Sequence, residues 1–134
     1  MAKIVLTNAT VSIAGTDISD YVASITLTTS AAEVETTSFG SGGAVTRVGG
    51  LKDGSLALDI HQDYPVVDAL LFPLLGSTAA FIVNPSGTTP GTATPDYSGT
   101  VLITELTPVA GAVGELATQS VTFPISGTIA RGTA

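Results

Sequence analysis

Alternation of apolar and polar positions with a period of two is the dominant signal along this chain. Tyr21 to Thr28 sets Tyr21, Ala23, Ile25 and Leu27 on one side of an extended strand, with Val22, Ser24, Thr26 and Thr28 on the other. After a break at Ser30-Ala31-Ala32, alternation resumes from Glu33 to Thr37, with Glu33, Glu35 and Thr37 on one face. The two runs predict a hairpin with one apolar side and one side of hydroxyls and two carboxylates. Leu51 to Asp63 is the clearest strand, placing Leu56, Leu58 and Ile60 opposite Ser55, Ala57, Asp59 and His61. Shorter strands are predicted at Ile4–Thr7, Thr10–Ile13 and Thr78–Asn84, and further ones at Ser98–Thr107 and Glu115–Ile125. Pro124 withholds a ladder donor, so that end belongs at a sheet edge or leaves the sheet.

Two stretches depart from the strand pattern. Ser38 to Gly50 holds five glycines and predicts a long flexible loop, and Pro85 to Pro95 predicts an exposed one. Within the first, Phe39, Val45 and Val48 are apolar side chains that a solvated loop does not need, and Arg47 stands beside them. One helix is expected from Asp63-Tyr64-Pro65 onward, with Val66, Ala69, Leu70 and Leu74 as its apolar stripe and Gly76 as its stop. Pro73 disfavours a regular interior, so the helix should kink or finish early in 3₁₀ form. The closing residues, from Ser126, are small and polar. The sum is a mainly β fold, a two-sheet sandwich or partly closed barrel with one flanking α-helix, in a single domain spanning residues 1–134.

Composition narrows the class. Thr, Val and Ile supply 43 residues, whose stiff β-branched side chains favour pleated sheet. Only 11% of residues are charged and the mean hydropathy is positive, which is little charge for a lone soluble domain. A membrane does not account for it. The longest uncharged stretch is broken by Pro73, Gly76, Pro85, Gly87, Pro90 and Gly91, and 5% aromatic residues without Trp supply no barrel girdles. The first residues turn polar too soon for a secretory leader and predict a mature N-terminus. Self-association is the expected reason for the missing charge.

The net charge is −7, and Lys3, Arg47, Lys52 and Arg131 are too scattered to grip nucleic acid. With no cysteine, disulfides and thiolate chemistry are excluded. Asp59-x-His61-x-Asp63 would share a strand face as metal ligands do, but with a single His a polar strand face is the better reading. Gly40-Ser41-Gly42-Gly43 lacks the Gly-Lys-Ser/Thr ending of a phosphate loop, and no nucleophile elbow occurs. No catalytic residue, metal or cofactor is therefore expected, and the chain reads as a structural protein rather than an enzyme.

Several segments together resemble the major tail tube proteins of long-tailed, non-contractile (siphovirus-type) bacteriophages, particularly those of actinobacterial hosts. They are Ile18-Ser19-Asp20-Tyr21-Val22-Ala23-Ser24-Ile25-Thr26-Leu27, Glu33-Val34-Glu35-Thr36-Thr37-Ser38-Phe39-Gly40, and Gly49-Gly50-Leu51-Lys52-Asp53-Gly54-Ser55-Leu56. Asp59-Ile60-His61-Gln62-Asp63-Tyr64 and Gly111-Ala112-Val113-Gly114-Glu115-Leu116-Ala117-Thr118 complete the set, so the resemblance runs almost end to end. It implies the tail tube fold, with six-fold rings stacked into a tube. A hairpin from each subunit would join its neighbours in a barrel that lines the lumen.

The implied partners are further copies of the chain, the tape-measure protein, and the tail-tip and terminator proteins. Double-stranded DNA would pass through without specific binding during genome ejection. The implied location is the virion tail, after assembly in the host cytoplasm and away from any membrane. On this reading Ser24, Thr26, Thr28, Glu33 and Glu35 are expected to face the lumen, where carboxylates would repel phosphates. Phe39, Val45, Arg47 and Val48 are expected to contact neighbouring subunits. The alternatives are the inner tube of a contractile phage or type VI-like injection device, and a non-tube virion or cell-surface β-sandwich.

Overall fold

A computed structural model describes residues 5–92 and 94–133, and it is mainly β, with two sheets and one helical segment. Five strands form one sheet in the order β2 (Thr16–Asp17), β1 (Thr10–Ile13), β5 (Thr78–Asn84), β6 (Asp96–Leu102) and β8 (Ala130–Gly132). Three form the other, in the order β3 (Val22–Glu35), β4 (Arg47–His61) and β7 (Thr118–Pro124). Every pairing is antiparallel. The sheets face each other as a sandwich and do not close into a barrel.

The period-two pattern explains the core. Leu56, Leu58 and Ile60 of β4 and Val121 and Phe123 of β7 meet Val11, Ile13, Phe81, Val83 and Val101 from the facing sheet, all buried. Each such side chain withdrawn from water contributes about 1.5–3 kcal/mol before entropy is charged against it. Ile125 lies at the crossing between the sheets. Its N–H bonds Gly54 in one sheet, and the Ser126 N–H bonds Thr100 in the other. Pro124 thus ends an edge strand as the chain leaves the sheet.

The strand pairing differs from the predicted hairpin. β3 does not break at Ser30; it runs unbroken to Glu35 and pairs with β4, from Val22↔Ile60 out to Glu35↔Arg47. Tyr21–Thr28 and Glu33–Thr37 are therefore one strand rather than two partners. The predicted loop from Ser38 to Gly50 shrinks accordingly, because β4 begins at Arg47 and includes Gly49 and Gly50. Two register irregularities adjust the faces. An extra residue in β3 at Ala23 turns Val22 inward with Ile25 and Leu27, and leaves Ala23 exposed. A second irregularity, between Ala31 and Glu33, sets two residues of β4 (Gly50 and Leu51) against Ala32 alone.

The helical segment is a π-turn over Tyr64–Asp68, three α residues at Ala69–Leu71, and a 3₁₀ turn at Phe72–Leu74. Asp63 caps it by accepting from the Val66 N–H at 3.1 Å, and Pro73 sits in the 3₁₀ finish. The wider π-turn rotates the buried face to Val67 and Leu71, with Leu70 and Leu74 beside them, away from the expected Val66 and Ala69. No helix among the described residues is long and apolar enough to cross a membrane. Val5–Thr7 is not a strand, and Ile4 lies outside the described residues. The polar C-terminal segment supplies β8, which the sequence pattern does not announce.

Candidate functional site

β3 and β4 are much longer than the body they belong to. Inside the sandwich their inward side chains, Ile25, Leu27, Leu56 and Leu58, rest on the core. Beyond Thr28 and Asp53 the pair continues alone as a two-stranded arm, and nearly every residue from Thr28 to Asp53 is exposed. An isolated hairpin of this kind is marginally stable in water, so its sequence has to be read for what it holds ready.

The arm has two dissimilar faces. Glu33, paired with Gly49, and Glu35, paired with Arg47, project to one side, where Arg47 Nε forms an ion pair with the Glu33 carboxylate. Thr37 Oγ1 donates to Glu35 Oε1 at 3.2 Å. Val34 and Val48 face each other on the opposite side. A Cβ built on Gly50 would lie 3.0 Å from Val34 Cγ2 and 3.2 Å from Ala32 Cβ, so Ala32, Val34, Val48 and Gly50 form a small apolar patch. Val34, Val48 and Leu51 are all exposed.

The tip is organised rather than slack. Ser38 and Ser41 cap a 3₁₀ turn at Phe39–Ser41 reciprocally, and Gly42 closes it with φ of 67°, a left-handed conformation that suits glycine. Phe39 stands on this turn with its side chain fully in solvent, at 108% relative exposure, and Val45 is half exposed on the return.

The outward face of the three-stranded sheet is smooth and polar. β3 contributes Ser24, Thr26 and Thr28, β4 contributes Ser55, Ala57 and Asp59, and β7 contributes Ser120 and Thr122. At one end Asp59 accepts from Ser24 Oγ at 2.8 Å and from Ser120 Oγ at 2.5 Å. These hydroxyls hold its carboxyl below the usual aspartate range, Ser120 more strongly than Ser24. Among the described residues no group of three or more His, Asp or Glu side chains gathers as a metal site would require. Asp59 of the Asp59-x-His61-x-Asp63 spacing is turned to serines instead.

No protein-family model matches the chain, and no curated protein matches it.

Ser24, Thr26 and Thr28 therefore lie together on one exposed face, as expected. Glu33 and Glu35 do not join them. Because β3 is continuous, odd-numbered Glu33 and Glu35 project to the side opposite even-numbered Ser24, Thr26 and Thr28. Phe39, Val45 and Val48 are exposed as expected, whereas Arg47 is engaged by Glu33 within its own arm. Pattern reading missed Ser120 and Asp59 as neighbours of Ser24, since only the β4 and β7 pairings bring them together. It also missed Val34, whose apolar character between two glutamates was the available signal.

A cleft of about 550 Å³ completes the exposed features. The three-stranded sheet is narrower than the five-stranded one, and the sandwich gapes along β3. Ile25, Leu27 and Thr29 form one wall, with Val83, Tyr97, Ile129 and Arg131 opposite and Leu6 at the mouth.

Proposed function

We propose that the chain is the structural subunit of a phage tail tube of the non-contractile type and not an enzyme. The observation that carries this reading is the arm, a ribbon that runs well past the core and exposes apolar side chains that nothing among the described residues covers. Such a ribbon is a device for joining other copies. Both edges of the three-stranded sheet, β3 and β7, also lack a further partner strand among the described residues. Exposed edges invite further strand pairing, and a ring in which β3 of one copy pairs with β7 of the next removes them all.

In that ring the outward face becomes the lumen wall, lined by Ser24, Thr26, Thr28, Ser55, Ala57, Asp59, Ser120 and Thr122. Hydroxyls and a carboxylate offer DNA phosphates no positive charge to neutralise them, so the genome slides through; a basic wall would gain affinity with each phosphate neutralised. Glu33 and Glu35 belong with the arm and its subunit contacts rather than with this wall. The tape-measure and tail-tip proteins are the implied partners, in the virion.

Negative-stain electron microscopy of concentrated protein at moderate salt tests the proposal, with and without tail-tip complexes as initiator. Hollow tubes or stacked rings are expected. A chain that stays monomeric by light scattering under both conditions would overturn it.

A further inference from the structure

We infer that the Phe39 tip of one copy docks in the cleft between β3 and the five-stranded sheet of a second copy. The inference rests on the tube reading only in requiring a second copy. The tip and the cleft are apolar features left open at two ends of the same hairpin. Phe39 is bare on a turn held by the Ser38–Ser41 cap. The cleft offers Ile25, Leu27, Val83 and Ile129 for the ring, with Tyr97 as an aromatic wall. Its volume of about 550 Å³ falls within the range of sites that enclose a bound group.

Geometry excludes the intramolecular alternative. Thr29 lines the cleft at the root of the arm, and Glu35 lies six strand residues further out, about 20 Å at the usual rise per residue. Phe39 stands beyond Glu35, so it cannot fold back into its own cleft while β3 and β4 stay paired. Charge favours the intermolecular match. Arg131 sits on the cleft wall, where its side chain donates to Thr92 O at 3.3 Å, and among the described residues Glu35 near the tip accepts from Thr37 and is otherwise open to solvent. Knob and hole are different surfaces, so the contact is head-to-tail and repeats from copy to copy rather than ending at a dimer.

The chain has no cysteine, which permits a direct test. Gly40→Cys, which keeps Phe39 at the tip, and Thr29→Cys proteins carrying different tags are mixed under mild oxidation, with Gly40→Cys plus Ala80→Cys as control. Gly40 and Thr29 are exposed, and Ala80 is exposed on β5, so all three variants should fold, which circular dichroism checks. A tip–cleft heterodimer is expected in clear excess over the control, and Phe39→Ser in the full-length protein should raise the concentration needed for assembly about tenfold. Equal or absent cross-linking in both pairs would overturn the docking. Microscopy of the same samples separates the two ideas. Tubes without tip–cleft cross-links would refute the docking alone, and cross-links without tubes would refute the tube alone.

Discussion

Ala14 is held at φ 54°, the one non-glycine residue with positive φ among the described residues, and Gly15 follows at φ 82°. The pair joins β1 to β2 in a two-residue turn, with Ile13 opposite Thr16. Such turns want Asn or Gly first, because a left-handed L-residue costs about 1–2 kcal/mol and Asn offsets part of that by local hydrogen bonding. Ala14→Asn should therefore raise stability by up to about 1 kcal/mol in urea titration, and a loss would contradict the turn assignment. Asp59 makes a prediction in pH. Its pKa is lowered in the folded state by Ser120 and Ser24, so its contribution is present above the unfolded pKa and disappears as pH falls through the folded one. Wild type should thus lose more melting temperature than Asp59→Asn on acidification to below the ordinary aspartate range. Parallel curves would mean that the serine contacts contribute nothing. Neither feature was legible in sequence, since a turn angle and a cross-strand neighbour exist only once strands pair.

At the scale of elements, the arm carries no core side chain, and only its root, Thr29–Ala31 with Lys52 and Asp53, borders the body at Ile125 and Ile129. Replacing the 24 residues Ser30–Asp53 by a tight two-residue turn removes no core side chain and lowers the closure cost by roughly 2 kcal/mol. The shortened chain should melt no lower than wild type and fail to assemble; cooperative unfolding lost with the arm would show that the arm supports the fold. Gly54, at the root, has a stricter role. A Cβ there would lie 2.6 Å from Thr28 O, so Gly54→Ala must push β3 and β4 apart, at about 1–3 kcal/mol in equilibrium unfolding. These two cases show why the body was readable and the arm was not. Leu56, Leu58, Ile60, Val121 and Phe123 declare their face because one side is buried. From Ser30 to Gly50 both sides are wet, so the alternation breaks at Ser30-Ala31-Ala32 although the strand does not, and on the return the glycines opposite Ala32 and Glu33 resemble a loop. β8 is set likewise by its neighbour, with Gly132 packed against the Asp96 carboxylate.

For the whole molecule, the opposing forces on assembly are apolar and backbone contacts on one side and charge on the other. Each chain carries −7, so the proposed six-fold ring would carry −42, six times that value. Only one complementary pair per docking contact, Arg131 with Glu35, works against this repulsion, and an exposed pair is worth roughly 0.2–1 kcal/mol. The balance is repulsive, and salt should relieve it. Raising ionic strength from about 0.01 M to about 0.15 M shortens the screening length from about 30 Å to about 8 Å. Pairing of β3 with β7 and burial of Phe39 are not weakened by screening, and excluded salts strengthen apolar burial. The critical concentration for tube formation, measured by sedimentation across a salt series, should therefore fall as salt rises. Tubes that form best at the lowest salt would mean that ion pairs hold the copies together. In that case the arm's charged face, Glu33, Glu35 and Arg47, rather than Phe39 and Val34, would be the contact surface.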